Sequence, residues 1–595
     1  MSDLRTRSIA IAALVPFAFP LSALKAQEES LPAGDEPPDL SLLPVPVEEV
    51  VAPAPAPAAG GSTRVMQHLI DRMVKRGLLT DEDAKDLLQL AQADAAADQA
   101  RDEALRALVQ DSMAPPADEG DIDVNYIPES VKAQMREEII AEILARNEWK
   151  PNTATPEWVS KFTVFGDIRA RYDGTFFADG NDNNFLNFNA INSGSPFNFD
   201  GTQFAPRLNT TEDRERIRLR ARAGAGIELE DGFRAGFRVA TGDNNSPVST
   251  NQTFGAGGGN FSKYDLWLDR AFLAYEYAER PEYDFTVTLG RFDNPFFSSD
   301  VMWDDDIGFD GLAAKATFEV TDGIRGFFTA SAAPVFNTSF NISSAQDGIT
   351  ASSTDKWLAA AQVGIDWKIN KDLSAKFGVA YYHFDGVRGR LSNPYIPLSS
   401  QAAGSTDGTR TNFSQKGNTY MALRQITPDV NLNGNGTLHQ YQYFGLASDF
   451  RNLALTGRLD YDGYDPFQLS LLGEFIKNVG YERNPLAVNN IVNGRTDGGD
   501  SAFFLNLLAG NRALDERGDW NVSLGYRYVE SDAVIDGFTD SDFGGGGTNM
   551  KGFTLGGQYT LSRSVRLGAR WMSAEEIVGP QLRSDILYFD INAKF

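Results

Sequence analysis

The sequence contains no cysteine and only three histidines, His68, His383 and His439, scattered along 595 residues. The first absence excludes a disulfide framework, although it decides little about compartment. The second leaves little support for a histidine-based triad or metal site, and Walker, Rossmann, HExxH and GxSxG patterns are missing as well. No enzymatic activity, metal or cofactor is therefore expected. Basic residues are scarce: 54 Lys and Arg stand against 81 Asp and Glu, a net charge of -27, which argues against a nucleic-acid-binding surface. Outside the extreme N-terminus no run of about 18 apolar residues occurs, so no transmembrane helix is available by length. A membrane-spanning β-strand escapes that test. It alternates apolar and polar residues, so mean hydropathy, here -0.31, stays low even when one face lies in lipid.

What is present divides the chain into four parts. Residues 1–26 read as a signal peptide: Arg5 and Arg7 precede an apolar stretch from Ile9 to Leu24, broken by Pro16 and Pro20. Cleavage is expected after Ala26, with Ala23 as the alternative. Residues 27–62 form an acidic linker rich in Pro and Ala, including Val51-Ala52-Pro53-Ala54-Pro55-Ala56-Pro57, which cannot bury a core. Residues 63–157 form a periplasmic helical segment. Val65, Leu69 and Met73 share one face, Gly77 ends that helix, and Thr80 with Asp83 caps the next, which carries Leu87, Leu88 and Leu90. Farther on, Ile127, Val131, Met135, Ile139 and Ile143 recur at four-residue spacing. Two accounts of these stripes stay open: the helices are expected to pack on each other or against the periplasmic mouth of a barrel, or to form a short oligomerising coiled coil. Neither stripe sustains three or four heptads.

From 158 to 595 the period changes from 3.6 to 2. Leu453, Leu455, Leu459 and Tyr461 alternate with Asn452, Thr456, Arg458 and Asp460; Val565, Leu567, Ala569 and Trp571 alternate with Arg566, Gly568 and Arg570. The last strand places Leu587, Phe589, Ile591, Ala593 and Phe595 on one face. Glu230-Asp231-Gly232, Thr321-Asp322-Gly323 and Asn370-Lys371-Asp372 mark tight turns. Long polar stretches near 173–212, 243–263, 334–355, 385–436 and 479–500 read as external loops. This pattern predicts an all-β transmembrane fold, an antiparallel outer-membrane β-barrel. Alternating runs number about 17, but a barrel with both ends on one side needs an even number. Residues 437–449 alternate poorly and are assigned to the preceding loop, leaving about 16 strands, with 14 or 18 as alternatives. A barrel of this size leaves a water-filled lumen. Phe595, an aromatic residue closing a clean alternation, resembles the signal read by the barrel assembly machinery.

One strand carries Arg214, Arg216, Arg218, Arg220 and Arg222 opposite Ile217, Leu219, Ala221 and Ala223. Its neighbours add Arg169 and Arg171 on one side, Arg234 and Arg238 on the other, and Arg270 follows on the next strand. Each guanidinium would cost about 2 to 4 kcal/mol if it faced lipid near the midplane, so these side chains are expected to line the channel. Asp300, Asp304, Asp305 and Asp306, after Asn294-Pro295-Phe296-Phe297, are candidates for an acidic constriction on an inward-folded loop. Two readings of the arginines remain. They form an electrostatic track favouring anions, or they pair with lumenal carboxylates such as Asp167 and Glu276 and keep the interior solvated.

Three segments carry a family resemblance: Ala240-Thr241-Gly242 leading to Ser246-Pro247-Val248-Ser249-Thr250-Asn251-Gln252-Thr253, then Trp267-Leu268-Asp269-Arg270-Ala271-Phe272, then Gly290-Arg291-Phe292-Asp293-Asn294-Pro295-Phe296. With Val124-Asn125-Tyr126-Ile127-Pro128-Glu129 and Trp149 upstream, they resemble the bacterial outer-membrane "putative porin" family from about Ser62 to Phe595. The resemblance implies a barrel in the cell outer membrane that admits small hydrophilic solutes or ions by passive diffusion, with a homotrimer as the usual assembly. It brings no catalytic residues. An anion- or phosphate-selective channel is one alternative; a structural anchor or tether without a conducting pore is another. A TonB-dependent receptor would need a large globular plug before the barrel, and an autotransporter a long passenger before a small one.

Overall fold

The computed structural model describes residues 161–595, apart from 201–203, 245, 257–258, 260, 281, 338–345, 350–353 and 483–497. The expected signal peptide, linker and helical segment lie outside the described residues.

Period-2 alternation becomes strand throughout. The first eight barrel strands are Phe162–Phe177 (β1), Arg214–Glu228 (β2), Phe233–Ala240 (β3), Trp267–Arg280 (β4), Tyr283–Asp293 (β5), Gly308–Thr321 (β6), Ile324–Phe336 (β7) and Lys356–Lys368 (β8). The second eight are Leu373–Asp385 (β9), Phe450–Tyr464 (β10), Phe467–Asn478 (β11), Ser501–Asn511 (β12), Trp520–Val529 (β13), Met550–Ser562 (β14), Val565–Glu576 (β15) and Arg583–Lys594 (β16). All 16 pair antiparallel with their sequence neighbours, and β1 pairs with β16 from Asp167 opposite Lys594 to Phe177 opposite Ser584, which closes the barrel. Closure leaves no free edge, so every strand finds backbone partners on both sides, as a hydrocarbon surrounding demands.

The outward face is apolar as the alternation predicts: Leu455, Leu459, Val522, Leu524, Leu555, Leu567, Phe589 and Ile591 are all exposed on the outer wall. Phe595 completes the seam. Gly166 N donates to its carbonyl at 2.9 Å and its own N donates back to Gly166 O at 3.1 Å. The phenyl ring lies over Gly166, where a Cβ would come within 2.5 Å of the ring, so only glycine admits it.

Turn chemistry fixes the end of the barrel that carries the C-terminus. Asp231 and Gly232 both adopt positive φ, 57° and 80°, as a type I′ hairpin turn requires. At the β8–β9 turn Asn370 Oδ1 accepts from the backbone N of Asp372 and Leu373, at 2.9 and 3.0 Å.

The opposite end carries the long loops, and here the structure departs from expectation. The 385–436 stretch was expected to lie outside, but Tyr420 and Leu423 are fully buried. Tyr420 belongs with Phe444, Val534 and Ile535 to an apolar cluster that includes Tyr382, Phe384, Phe450 and Ile476 of the wall. Parts of loops 386–449 and 530–549 thus pack against the inner side of the wall. Residues 437–449 stay out of the wall, as assigned from sequence: Tyr441–Gln442 pairs with Phe197–Asn198, and Phe444–Leu446 with Tyr420–Ala422. A further two-residue segment, Gln252–Thr253, joins the main sheet opposite Leu219 and Arg218, where the short β3 has already ended. That pairing holds loop 241–266 against the arginine strand.

Candidate channel and constriction

The register of β1 and β2 sets the charges of one wall. Arg169 faces Arg220 and Arg171 faces Arg218, while Asp167 faces Arg222 and Asp173 faces Arg216. Like charges directly opposite each other destabilise a sheet, and the two aspartates offset this. Asp167 accepts from Arg222 Nε at 2.7 Å and Arg220 Nε at 3.0 Å; Asp173 accepts from Arg216 at 2.6 Å and Arg218 at 3.3 Å. Arg171 is only 2% exposed, bound by Asp590 at 2.7 Å and Asp542 at 3.1 Å over the Tyr588 ring. Arg169 differs from its neighbours. Its Nη2 donates to the Asn251 amide at 2.6 Å, and it forms no ion pair among the described residues.

Across the lumen runs loop 294–307, and four clamps hold it. Gln362 of β8 bonds both backbone groups of Phe297, accepting from N at 2.8 Å and donating to O at 2.7 Å. Glu474 of β11, buried and also bonded to Thr456 at 2.8 Å, accepts from Ser299 Oγ at 2.5 Å. Arg527 of β13 joins Asp300 at 2.9 Å to Asp540 of loop 530–549 at 2.7 Å. Arg270, also 2% exposed, donates to the carbonyls of Asp306 at 3.2 Å and Ile307 at 2.8 Å.

These clamps fix the four acidic residues. Asp306 accepts from Thr250 N and Oγ1, both at 3.1 Å, and lies 3.5 Å from Arg222 and 3.8 Å from Arg220. Asp304 accepts from Ser541 N and Asp306 N. Burial pushes its carboxyl up to about 9, with repulsion from Asp540 adding to the effect. Asp305 is open to the lumen yet walled in by the barrel; desolvation pushes it up to about 6, and Asp300 and Asp540 add repulsion. Asp542 behaves oppositely. Burial opposes its ionisation, but Arg570 and Arg171 hold its carboxyl well below the usual carboxylate range.

Wall and loops enclose a cavity of about 630 Å³, which Arg169, Arg171, Arg220 and Arg222 share with Asp300, Asp304, Asp305 and Asp306. The other arginines singled out from sequence lie elsewhere. Arg214 and Arg216 line a second pocket, Arg218 bonds Asp173 and Ser249, and Arg238 binds Asp269 at 2.5 Å and Asp293 at 3.2 Å. Arg234 pairs with Glu276 at 2.6 Å near the tight-turn end. The cavity also contains Arg527, Arg570, Asp540, Asp542 and Asp590, which sequence reasoning missed. Arg570, which binds Asp542, was legible only as the polar member of an alternating strand.

The family model described as "Putative porin" matches residues 63–595. The chain belongs to that family. As a porin with a closed antiparallel barrel it is an outer-membrane channel. Among solved structures, this porin is similar to OprB of Pseudomonas putida, at 12% identity over 75% of this chain and 97% of that one, with a TM-score of 0.38. It is also similar to the outer-membrane channel DcaP of Acinetobacter baumannii, at 12% identity over 73% and 97%, TM-score 0.34. Salmonella typhi OmpF follows at 10% identity over 73% and 97%, TM-score 0.34. No curated protein matches the sequence.

Proposed function

We propose that this porin passes small hydrophilic solutes by passive diffusion and favours anions. The observation that carries the reading is Arg169, a guanidinium in the cavity wall whose partner is an amide rather than a carboxylate, beside Arg220. Around it, most other arginines of the wall are matched by Asp167, Asp173, Asp542 or Asp590, which is what the solvation reading of the row expects. Selectivity then comes from the imbalance. Asp304 is protonated at neutral pH and contributes no charge, so the loop opposes the wall with fewer anions than its sequence carries. In a cavity with low-dielectric walls a small excess of one charge sign concentrates the opposite ion.

Two further parts of the reading rest on the resemblance: a homotrimeric assembly, and recognition of Phe595 by the barrel assembly machinery. The position of Phe595 at the closing seam supports the second. The test of selectivity is Arg169→Gln, read as the reversal potential of the refolded protein in a bilayer under a potassium chloride gradient. Removing one lumenal charge worth about 1 kcal/mol should lower the anion-to-cation permeability ratio about fivefold. An unchanged ratio would remove Arg169 from the mechanism.

A further inference from the structure

A second cavity, of about 720 Å³, lies against strands β4 to β8, whereas the charged cavity lies against β12 to β16, β1 and β2; their linings share only Asp306. The floor of this second cavity is apolar. Val387, Leu446 and Ile535 are buried there, with Val335, Phe413 and Phe538 partly buried beside them, all members of the apolar cluster between loops and wall or packed on it. Its charges are largely matched. Arg291 donates to Asp310 at 2.7 Å, Asp269 binds Arg238 at 2.5 Å and Arg270 at 2.7 Å, Asp306 lies 3.5 Å from Arg222, and Lys356 Nζ donates to Arg410 O. Asp243, exposed at the rim, forms no ion pair among the described residues. Asn244 and Asn412 are exposed there too, and among the described residues their side-chain amides form no hydrogen bond.

We propose that this cavity binds a small uncharged aromatic solute with hydroxyl groups at one edge, its ring on the apolar floor and its hydroxyls on Asn244 and Asn412. An apolar floor with a few polar groups at its margin is the usual build of a small-molecule site, and the volume lies within the range for such sites. Phe413 and Phe538 favour a ring over a flexible chain, because aromatic pairs add to what area burial alone gives. The two amides supply both donors and acceptors, so a hydroxyl can bond either way. Charge is excluded by the matched lining. An anion meets Asp243 at the rim, and a cation gains Asp243 alone while its charge leaves water beside Val387 and Ile535.

The experiment is isothermal titration calorimetry on the refolded full chain in detergent, with the heat from detergent alone subtracted. Resorcinol, an uncharged ring with hydroxyls at one edge, should bind saturably. Benzoate, a similar ring with a carboxylate, should bind about tenfold more weakly, and so should inositol, whose hydroxyls surround its ring and leave it no apolar edge. In the Asn244→Ala/Asn412→Ala double variant the Kd for resorcinol should rise about tenfold, as expected for two modest hydrogen bonds. Val335→Thr keeps the shape of the floor but adds a hydroxyl to it, and should raise that Kd about threefold. It carries the test if the double variant fails to fold, as judged by heat-modifiable gel migration. No saturable heat with resorcinol, variants that bind it like the wild type, or benzoate or inositol bound as tightly would overturn the site. None of these outcomes touches the anion preference, which rests on Arg169 in the other cavity.

Discussion

Asp305 shows how one residue's surroundings can set the behaviour of a channel. Its carboxyl, raised to about 6 by desolvation, is charged above that pH and neutral below it. Between pH 7.5 and pH 5 the lumen therefore loses one negative charge opposite the arginine wall, and anion preference should rise as pH falls. Asp305→Asn should show the raised preference already at pH 7.5 and lose most of the change between the two values. Reversal potentials of both proteins at the two pH values check this, and a wild type whose selectivity is flat across the range contradicts it. Asp304 is not the source of such a change, because at about 9 it stays protonated throughout the window.

At the scale of elements, loop 294–307 depends on single side chains reaching from distant strands. Gln362 alone satisfies both backbone groups of Phe297, so Gln362→Ala leaves a partly buried donor and acceptor without protein partners. Loss of each bond costs about 0.5 to 1.5 kcal/mol. The expected result is a lower thermal unfolding midpoint and a noisier, larger single-channel conductance as the loop loosens; unchanged traces would mean the loop is held by Glu474 and Arg527 without it. The loop's role was partly legible in the sequence, since four aspartates crowd behind Asn294-Pro295 where no strand can continue. Its anchors were not. Gln362 and Glu474 are single polar residues on alternating strands, and period-2 alternation shows that they face inward but not what they touch. The arginine row was legible for the same reason, five like charges two residues apart. Arg527 gave no such signal because it is a single charge on an alternating strand, and Asp540 and Asp542 gave none because they lie in a loop rich in Asp, Ser and Gly. The interior position of loop 386–449 was hidden by its mixed composition: the apolar residues it buries, such as Val387, Tyr395, Tyr420 and Phe444, are interspersed with Gly, Asn, Ser and Thr and follow no strand or helix period.

At the scale of the whole molecule, two kinds of packing coexist in one barrel. The outer wall is stabilised by backbone pairing and an apolar surface suited to lipid, whereas the long-loop half holds an apolar core of its own, in which Phe188 stacks on Tyr420 at 4.1 Å and Trp303 packs on Phe309 at 4.8 Å. On the proposed function, solutes pass through the charged cavity, whose lining carries ion pairs, rather than through the bare width of a 16-stranded barrel. A narrow, charge-lined passage in the outer membrane is the central claim. The most direct measurement is the single-channel conductance of the refolded chain in a planar bilayer, with its reversal potential under a potassium chloride gradient. A small, steady conductance with anion preference is predicted; no conductance, or a preference for cations, would contradict it.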